Sequence, residues 1–239
     1  MIGGWMMKVT KVKPLYQISF LPRTFPVNCY VMEEEKELFL FDAALPYSHR
    51  GIVSFAKKKG KPITKIFLTH AHEDHVGALD QVKRAFPEAK VYCSHLDALW
   101  LNGDVTRINE VIDTPIRGGV PKNIKTIPDH TLQEGDELGS LLTIETPGHT
   151  PGSLSFFDQR TNALIVGDAF QTRGGIAVAG KVKPLFPFPA WATWDRQEAV
   201  KSAEKLLTYE ASILAVGHGK MLEQPLGKME QSIKEALRT

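Results

Sequence analysis

Residues 68–78 read Leu-Thr-His-Ala-His-Glu-Asp-His-Val-Gly-Ala and set the tightest limit on how this chain folds. The apolar run 63–69 leads into the segment, and Val76, Leu79, Val82 and Phe86 recur behind it on one helical face. That change of period predicts a buried strand, then a helix over 74–86. Residues two apart at a strand end point to the same side, so His70 and His72 can share one cation, while the turn into the helix directs Asp74 and His75 toward a second. A polar strand cap needs no such convergence of four metal-capable side chains.

Three further candidates follow apolar strand-like runs: His149 in Thr-Pro-Gly-His-Thr, Asp168 in Val-Gly-Asp-Ala and His218 in Val-Gly-His-Gly. Each stands beside a glycine, which lets the backbone turn sharply and an ion approach closely. Taken singly each is weak, and Asp168 reads equally well as a turn or cap residue.

Around these positions the pattern alternates. Strands are predicted over 9–20, 27–33 and 37–41 as an antiparallel meander, then a helix over 46–60, a strand over 63–69, the helix over 74–86, a strand over 90–93 and a helix from Ser94 to about 101. Residues 103–122 form a long loop, of the kind that often carries function. Strands follow over 124–127, 132–138, 141–146, 153–157 and 163–166. A helix capped by Asp195 runs to about 207, with a strand over 213–216 and a last helix over 225–237. This order permits an α+β chain of two packed sheets with helices outside. At 239 residues we expect one domain over 8–239, with 1–7 as an extension ahead of an alternative start.

Composition narrows the classes. The chain is 43% hydrophobic and 23% charged, which favours neither disorder nor a membrane protein, and no run approaches the ~18 apolar residues of a span. Net charge is +2 and the basic residues are scattered, apart from Lys57, Lys58, Lys59 and Lys61 at the end of a predicted helix, where they complement its dipole. Nucleic acid and membrane are therefore not expected partners; a small-molecule substrate is. The 2 cysteines, Cys29 and Cys93, lie in or beside apolar runs as core hydrophobes, which fits a reducing, cytoplasmic setting. Oligomeric state is not legible.

The His-x-His-x-Asp-His motif with His149, Asp168 and His218 resembles the metallo-β-lactamase superfamily, from about Val9 to the last helix. The resemblance implies a four-layer αβ/βα sandwich of two mixed sheets, with metals in a cleft at one sheet edge. By it, His70, His72 and His149 hold a first metal, Asp74, His75 and His218 a second, and Asp168 bridges them. Asp42, in Phe-Asp-Ala-Ala with alanine where glycine is usual, matches the family's first acidic motif and supports the cleft. Nitrogen and oxygen ligands without thiolate suit two zinc ions and also accept iron or manganese. Such a pair supplies a bridging hydroxide at neutral pH for attack on a carbonyl, with Asp74 as the catalytic group that orients the water or accepts its proton.

Substrate is read less directly. Residues 171–194 should overhang the metals, with Phe186, Phe188, Trp191 and Trp194 either lining an apolar pocket or packing on the body, and Arg173 meeting a carboxylate or phosphate. The best-known compact β-lactamases carry cysteine where Asp168 stands, which leaves β-lactam cleavage a minor or promiscuous activity. The ligand set is more similar to the glyoxalase II-like thioesterases and to the lactonases, although Gln171 replaces a tyrosine the lactonases carry. The sequence thus points to a hydrolase of a small carboxylic ester, lactone or thioester. An iron-dependent, sulfur dioxygenase-like redox enzyme and a non-catalytic metal-binding module are the competing readings.

Overall fold

The strand Leu38–Phe41 shows how the layers arise. Its four residues are all apolar and all buried. Because side chains alternate across a strand, Leu38 and Leu40 face one way, into a cluster with Ile52, Phe55, Leu79 and Val82 of neighbouring helices. Phe39 and Phe41 face the other way, into a second cluster with Leu141, Leu154, Phe156 and Ile165. A strand apolar on both faces is one covered on both sides.

The computed structural model describes residues 7–12, 14–104, 108, 110, 112, 114–119 and 123–238. The extension ahead of Met7 and part of the expected 103–122 loop lie outside the described residues. Seven strands form the first sheet in sequential order: β1 (Met7–Val12), β2 (Leu15–Phe20), β3 (Val27–Glu33), β4 (Leu38–Phe41), β5 (Ile63–Phe67), β6 (Lys90–Ser94) and β7 (His130–Leu132). Pairing is antiparallel up to β4 and parallel from β4 to β7. The second sheet also mixes directions. It contains β8 (Glu137–Leu138), β9 (Leu141–Glu145), β10 (Leu154–Asp158), β11 (Ala163–Ile165), β14 (Ile213–Ala215) and β15 (Leu222–Glu223), with β11 and β14 parallel. A small hairpin pairs β12 (Phe170–Gln171) with β13 (Ala177–Val178).

Three apolar layers alternate with these sheets. One lies between the first sheet and the helices His49–Lys59, Leu79–Ala85 and His95–Leu101, and one between the second sheet and the helices Arg196–Leu207 and Leu226–Leu237. The third joins the sheets to each other. This is the αβ/βα sandwich of two mixed sheets. No helix among the described residues is long and apolar enough to cross a membrane.

The structure corrects several boundaries. The expected strand 9–20 is a hairpin of β1 and β2. The helix 74–86 is two, Glu73–Val76 and Leu79–Ala85. The first is tied down because Ala43 and Ala44 donate their N–H groups to the His75 carbonyl, at 2.6 and 3.1 Å, which removes an acceptor from the helix ladder. The strand expected over 124–127 is absent; Lys125 and Thr126 instead donate backbone N–H groups to the Asp80 carboxylate. The segment 132–138 divides between the two sheets, as β7 and β8.

Phe67 anchors the central layer: its ring stacks on Phe41 and Tyr92, each 5.1 Å away, and meets Phe156 of the opposite sheet at 5.3 Å. Phe67→Ala should cost about 3–5 kcal/mol of stability. Urea unfolding should show this as a lower midpoint with an unchanged slope; an unshifted midpoint would contradict the packing described.

Candidate metal centre

The seven expected ligands converge at one edge of both sheets, because most follow the carboxyl ends of strands that run the same way. His70 and His72 follow β5, Asp168 follows β11 and His218 follows β14, while His149 lies on the connection from β9 to β10. Cross-sheet bonds hold these loops in register: Leu154 N–H donates to Thr69 O at 2.8 Å, Asn28 N–H to Gly217 O at 2.9 Å, and Tyr30 Oη–H to Val216 O at 2.7 Å.

Three sets of ligand atoms each fall within 4.8 Å of one another: His70, His72 and His149; Asp74, His75 and His218; and His70, His75 and Asp168. Asp168 stands between the first two, with Oδ2 3.4 Å from His149 Nε2 and 3.2 Å from His218 Nε2, and Oδ1 3.5 Å from His75 Nε2. Asp74 Oδ2 is 3.3 Å from His218 Nε2.

A ring of acceptors engages the outward nitrogen of each of the five clustered histidines. Carbonyl oxygens can only accept, so His72 Nε2–H donates to Arg117 O at 2.8 Å and His218 Nδ1–H to Pro26 O at 2.7 Å. His75 Nδ1–H donates to Asp42 Oδ2 at 2.8 Å. The Thr193 hydroxyl gives its hydrogen to Pro189 O and therefore accepts from His149 Nδ1–H at 3.2 Å. Thr69 Oγ1–H likewise goes to Asp42 Oδ2, leaving its oxygen to accept from His70 Nδ1–H at 3.1 Å. Each ring thereby presents its other nitrogen inward, as a lone pair whenever the ring is neutral, the arrangement metal-bound histidines require.

These inward atoms fit cations. His70 Nε2, His75 Nε2 and Asp168 Oδ1 are buried without a hydrogen-bond partner. His72 Nδ1 and His149 Nε2 lie 2.9 Å apart, a spacing that bare lone pairs resist unless a positive charge stands beside them. A glycine keeps side-chain volume away from Asp168, and another gives room behind the His72 ring, on the side that bonds Arg117 O. A Cβ on Gly217 would come 2.1 Å from Asp168 Oδ1, and one on Gly118, whose φ is +89°, would come 2.2 Å from His72 Nε2.

Electrostatics divides the histidines. Burial and, for His70, the neighbouring imidazoles hold His70 and His149 neutral, His149 at a pKa of about 3. Burial also lowers His72. At His218 burial is outweighed by the carboxylates of Asp168 and Asp74, which raise its pKa to about 10. His75 is raised in the same way by Asp168, Asp42 and Asp74. Protons stand there in place of a second cation.

The substrate side is a pocket of about 290 Å³ over Asp74, Asp168, His72, His149 and His218. Of the expected pocket residues, Phe188 lines it. Phe186 is buried behind, 5.0 Å from the Phe25 ring and 5.2 Å from the His218 ring. Trp191, 62% exposed, packs on Phe188 outside the pocket lining. Trp194 is drawn off by an Nε1–H bond to Thr114 Oγ1 at 2.6 Å. Arg173 does not join them: it donates to Arg23 O at 2.7 Å and lines a different cleft. The walls that sequence reading passed over include Phe25, Leu45, Pro46, Glu73, Pro189 and Ala192, with Gly118 and Gly119 beside them. Only the length of the 103–122 loop hinted at part of this.

Two outcomes follow. Asp42→Asn should weaken metal binding about 10- to 100-fold, because the amide cannot serve His75, Thr69 N–H and Thr69 Oγ1–H together; a competition titration with a chelator measures it. Cation uptake should release protons, so affinity should rise with pH toward the His218 pKa of about 10 and fall in acid, which calorimetry in buffers of different ionisation enthalpy detects.

Residues 22–218 match the family model of the metallo-β-lactamase superfamily. The uncharacterized protein YobT of Bacillus subtilis is 53% identical over 96% of this chain and 99% of its own. The probable metallo-hydrolase YqgX of the same organism is 30% identical, covering 80% of this chain and 84% of its own. The crystal structure of TTHA1623 in a di-iron-bound form superposes with a TM-score of 0.63 at 24% identity, over 92% of this chain and 96% of that one. The chain belongs to the metallo-β-lactamase superfamily.

Proposed function

We propose that this protein is a binuclear metal-dependent hydrolase that cleaves a small carboxylic ester, lactone or thioester. The observation that carries the reading is the complete set of inward-facing nitrogens around Asp168, each fixed from behind by an acceptor. His70, His72 and His149 would hold one cation, Asp74, His75 and His218 the other, with Asp168 shared. Two bound cations supply an activated water and a Lewis acid for the carbonyl oxygen. The donor chemistry suits zinc and accepts iron or manganese.

Of the ligands lining the pocket, Asp74 is the most exposed. Its side chain is 27% exposed, against 0–3% for the His75, His218 and Asp168 side chains it adjoins. From there its carboxylate orients the attacking water and takes its proton, then passes that proton to the leaving alcohol or thiol. The walls select the acyl part. Phe25, Leu45, Pro46, Phe188, Pro189 and Ala192 are apolar, no lysine or arginine is among the described lining residues, and Glu73 adds a negative charge. A neutral, apolar acyl group is favoured over an anionic one.

A panel of an aryl ester, a lactone, a thioester, a cephalosporin and an aryl phosphodiester, offered to metal-loaded protein, tests this reading. Cleavage of one of the first three, lost in His72→Ala, supports it; turnover of the phosphodiester alone, or oxygen consumption by an iron form without hydrolysis, overturns it. Asp74→Asn should lower kcat about 100- to 10,000-fold and change KM far less.

A further inference from the structure

The side chain that sequence reading placed over the metals, Arg173, marks a second cleft of about 610 Å³ behind the His218 loop. None of its lining residues lines the metal pocket. Four of them are cations brought from four segments: Lys8 on β1, Arg23 between β2 and β3, Arg173 after β12, and Lys220 two residues past His218. No aspartate or glutamate lines it among the described residues.

This is an uneven use of charge. The chain has 29 basic and 27 acidic residues, and elsewhere Lys59, Lys61, Lys65, Lys183, Lys205 and Arg160 each meet a carboxylate. Lys8, Arg173 and Lys220 make no ion pair among the described residues. Like charges gathered in a concavity repel one another and raise the local concentration of anions. The floor is also built. Thr172 N–H donates to His218 O at 2.9 Å and Thr172 Oγ1–H to Lys220 O at 2.8 Å, while Gln17 Nε2–H donates to Gly219 O at 2.6 Å. Arg173 is held against the β2–β3 loop by its bond to Arg23 O, so its fork is placed before any ligand arrives.

We infer that this cleft binds a small, multiply charged phosphate or carboxylate compound, at a site separate from the metal pocket. Its volume suits a metabolite-sized ligand. Met7, Pro22 and Leu222 give it an apolar wall for the ligand's carbon frame.

Calorimetric titration of the metal-loaded protein with fructose 1,6-bisphosphate and, separately, with tricarballylate tests the inference; both carry several charges and chelate metals weakly. One saturable site per chain is expected for at least one of them, and the tighter binder assigns the site to phosphate or carboxylate. Lys8→Ala/Lys220→Ala, which removes no hydrogen bond of the floor, should weaken binding about tenfold or more. Arg173→Ala should do the same. Lys57→Ala/Lys58→Ala removes the same charge from residues outside the cleft lining and should change affinity less than about twofold. Absence of saturable binding overturns the inference. So does equal weakening by both lysine pairs, which would mean general attraction, or binding unaffected by either cleft variant, which would place the anion on the metals.

Discussion

Asp168 is buried to 4% exposure with five imidazoles and a second carboxylate around it, and that concentration of charge and lone pairs is what the rest of the structure has to accommodate. An ionised carboxylate out of water is costly unless positive charge accompanies it. Raised pKa values place protons on His75 and His218 to supply that charge, and cations held by the same groups would supply it in their stead. The surrounding features answer to the same need. Asp42, Thr69, Thr193 and the carbonyls of Pro26 and Arg117 fix each ring, and glycine at 217 keeps side-chain volume away from Asp168.

The sandwich gives this cluster its rigidity and receives some in return. Each ligand triad is drawn from both sheets: His70 and His72 follow the first sheet and His149 belongs to the second, while Asp74 and His75 come from the first and His218 from the second. A cation in either triad therefore fastens one sheet to the other at the edge where the central apolar layer of Phe41, Phe67 and Phe156 ends. The carboxyl ends of parallel neighbours β4 and β5, and of β11 and β14, place their following loops side by side, which is why residues so far apart in sequence meet.

Much of this was legible in the sequence because it is local. The His-x-His-x-Asp-His spacing encodes a strand end and the turn beyond it, and the paired apolar faces of Leu38–Phe41 encode a strand buried on both sides. Alanine at 44, where a glycine is usual, adopts the left-handed φ of +55° that the turn demands, held by the His75 carbonyl. What escaped depends on distant partners. Phe25 enters the pocket because the β2–β3 loop crosses the second sheet's edge, and Thr193 matters only because Pro189 O takes its hydrogen and turns its oxygen toward His149. Arg173 sits one residue from Thr172, whose bonds to His218 O and Lys220 O turn the chain, and the arginine with it, away from the metals. No periodicity or motif carries that direction.

The most direct test of the central claim is a crystal structure of metal-loaded protein with anomalous scattering measured at the absorption edge of the bound element. The account predicts two peaks per chain, one among His70, His72 and His149 and the other among Asp74, His75 and His218, with Asp168 between them. Absence of a peak at these nitrogens after metal loading, or a single peak with Asp74, His75 and His218 left unligated, would contradict it.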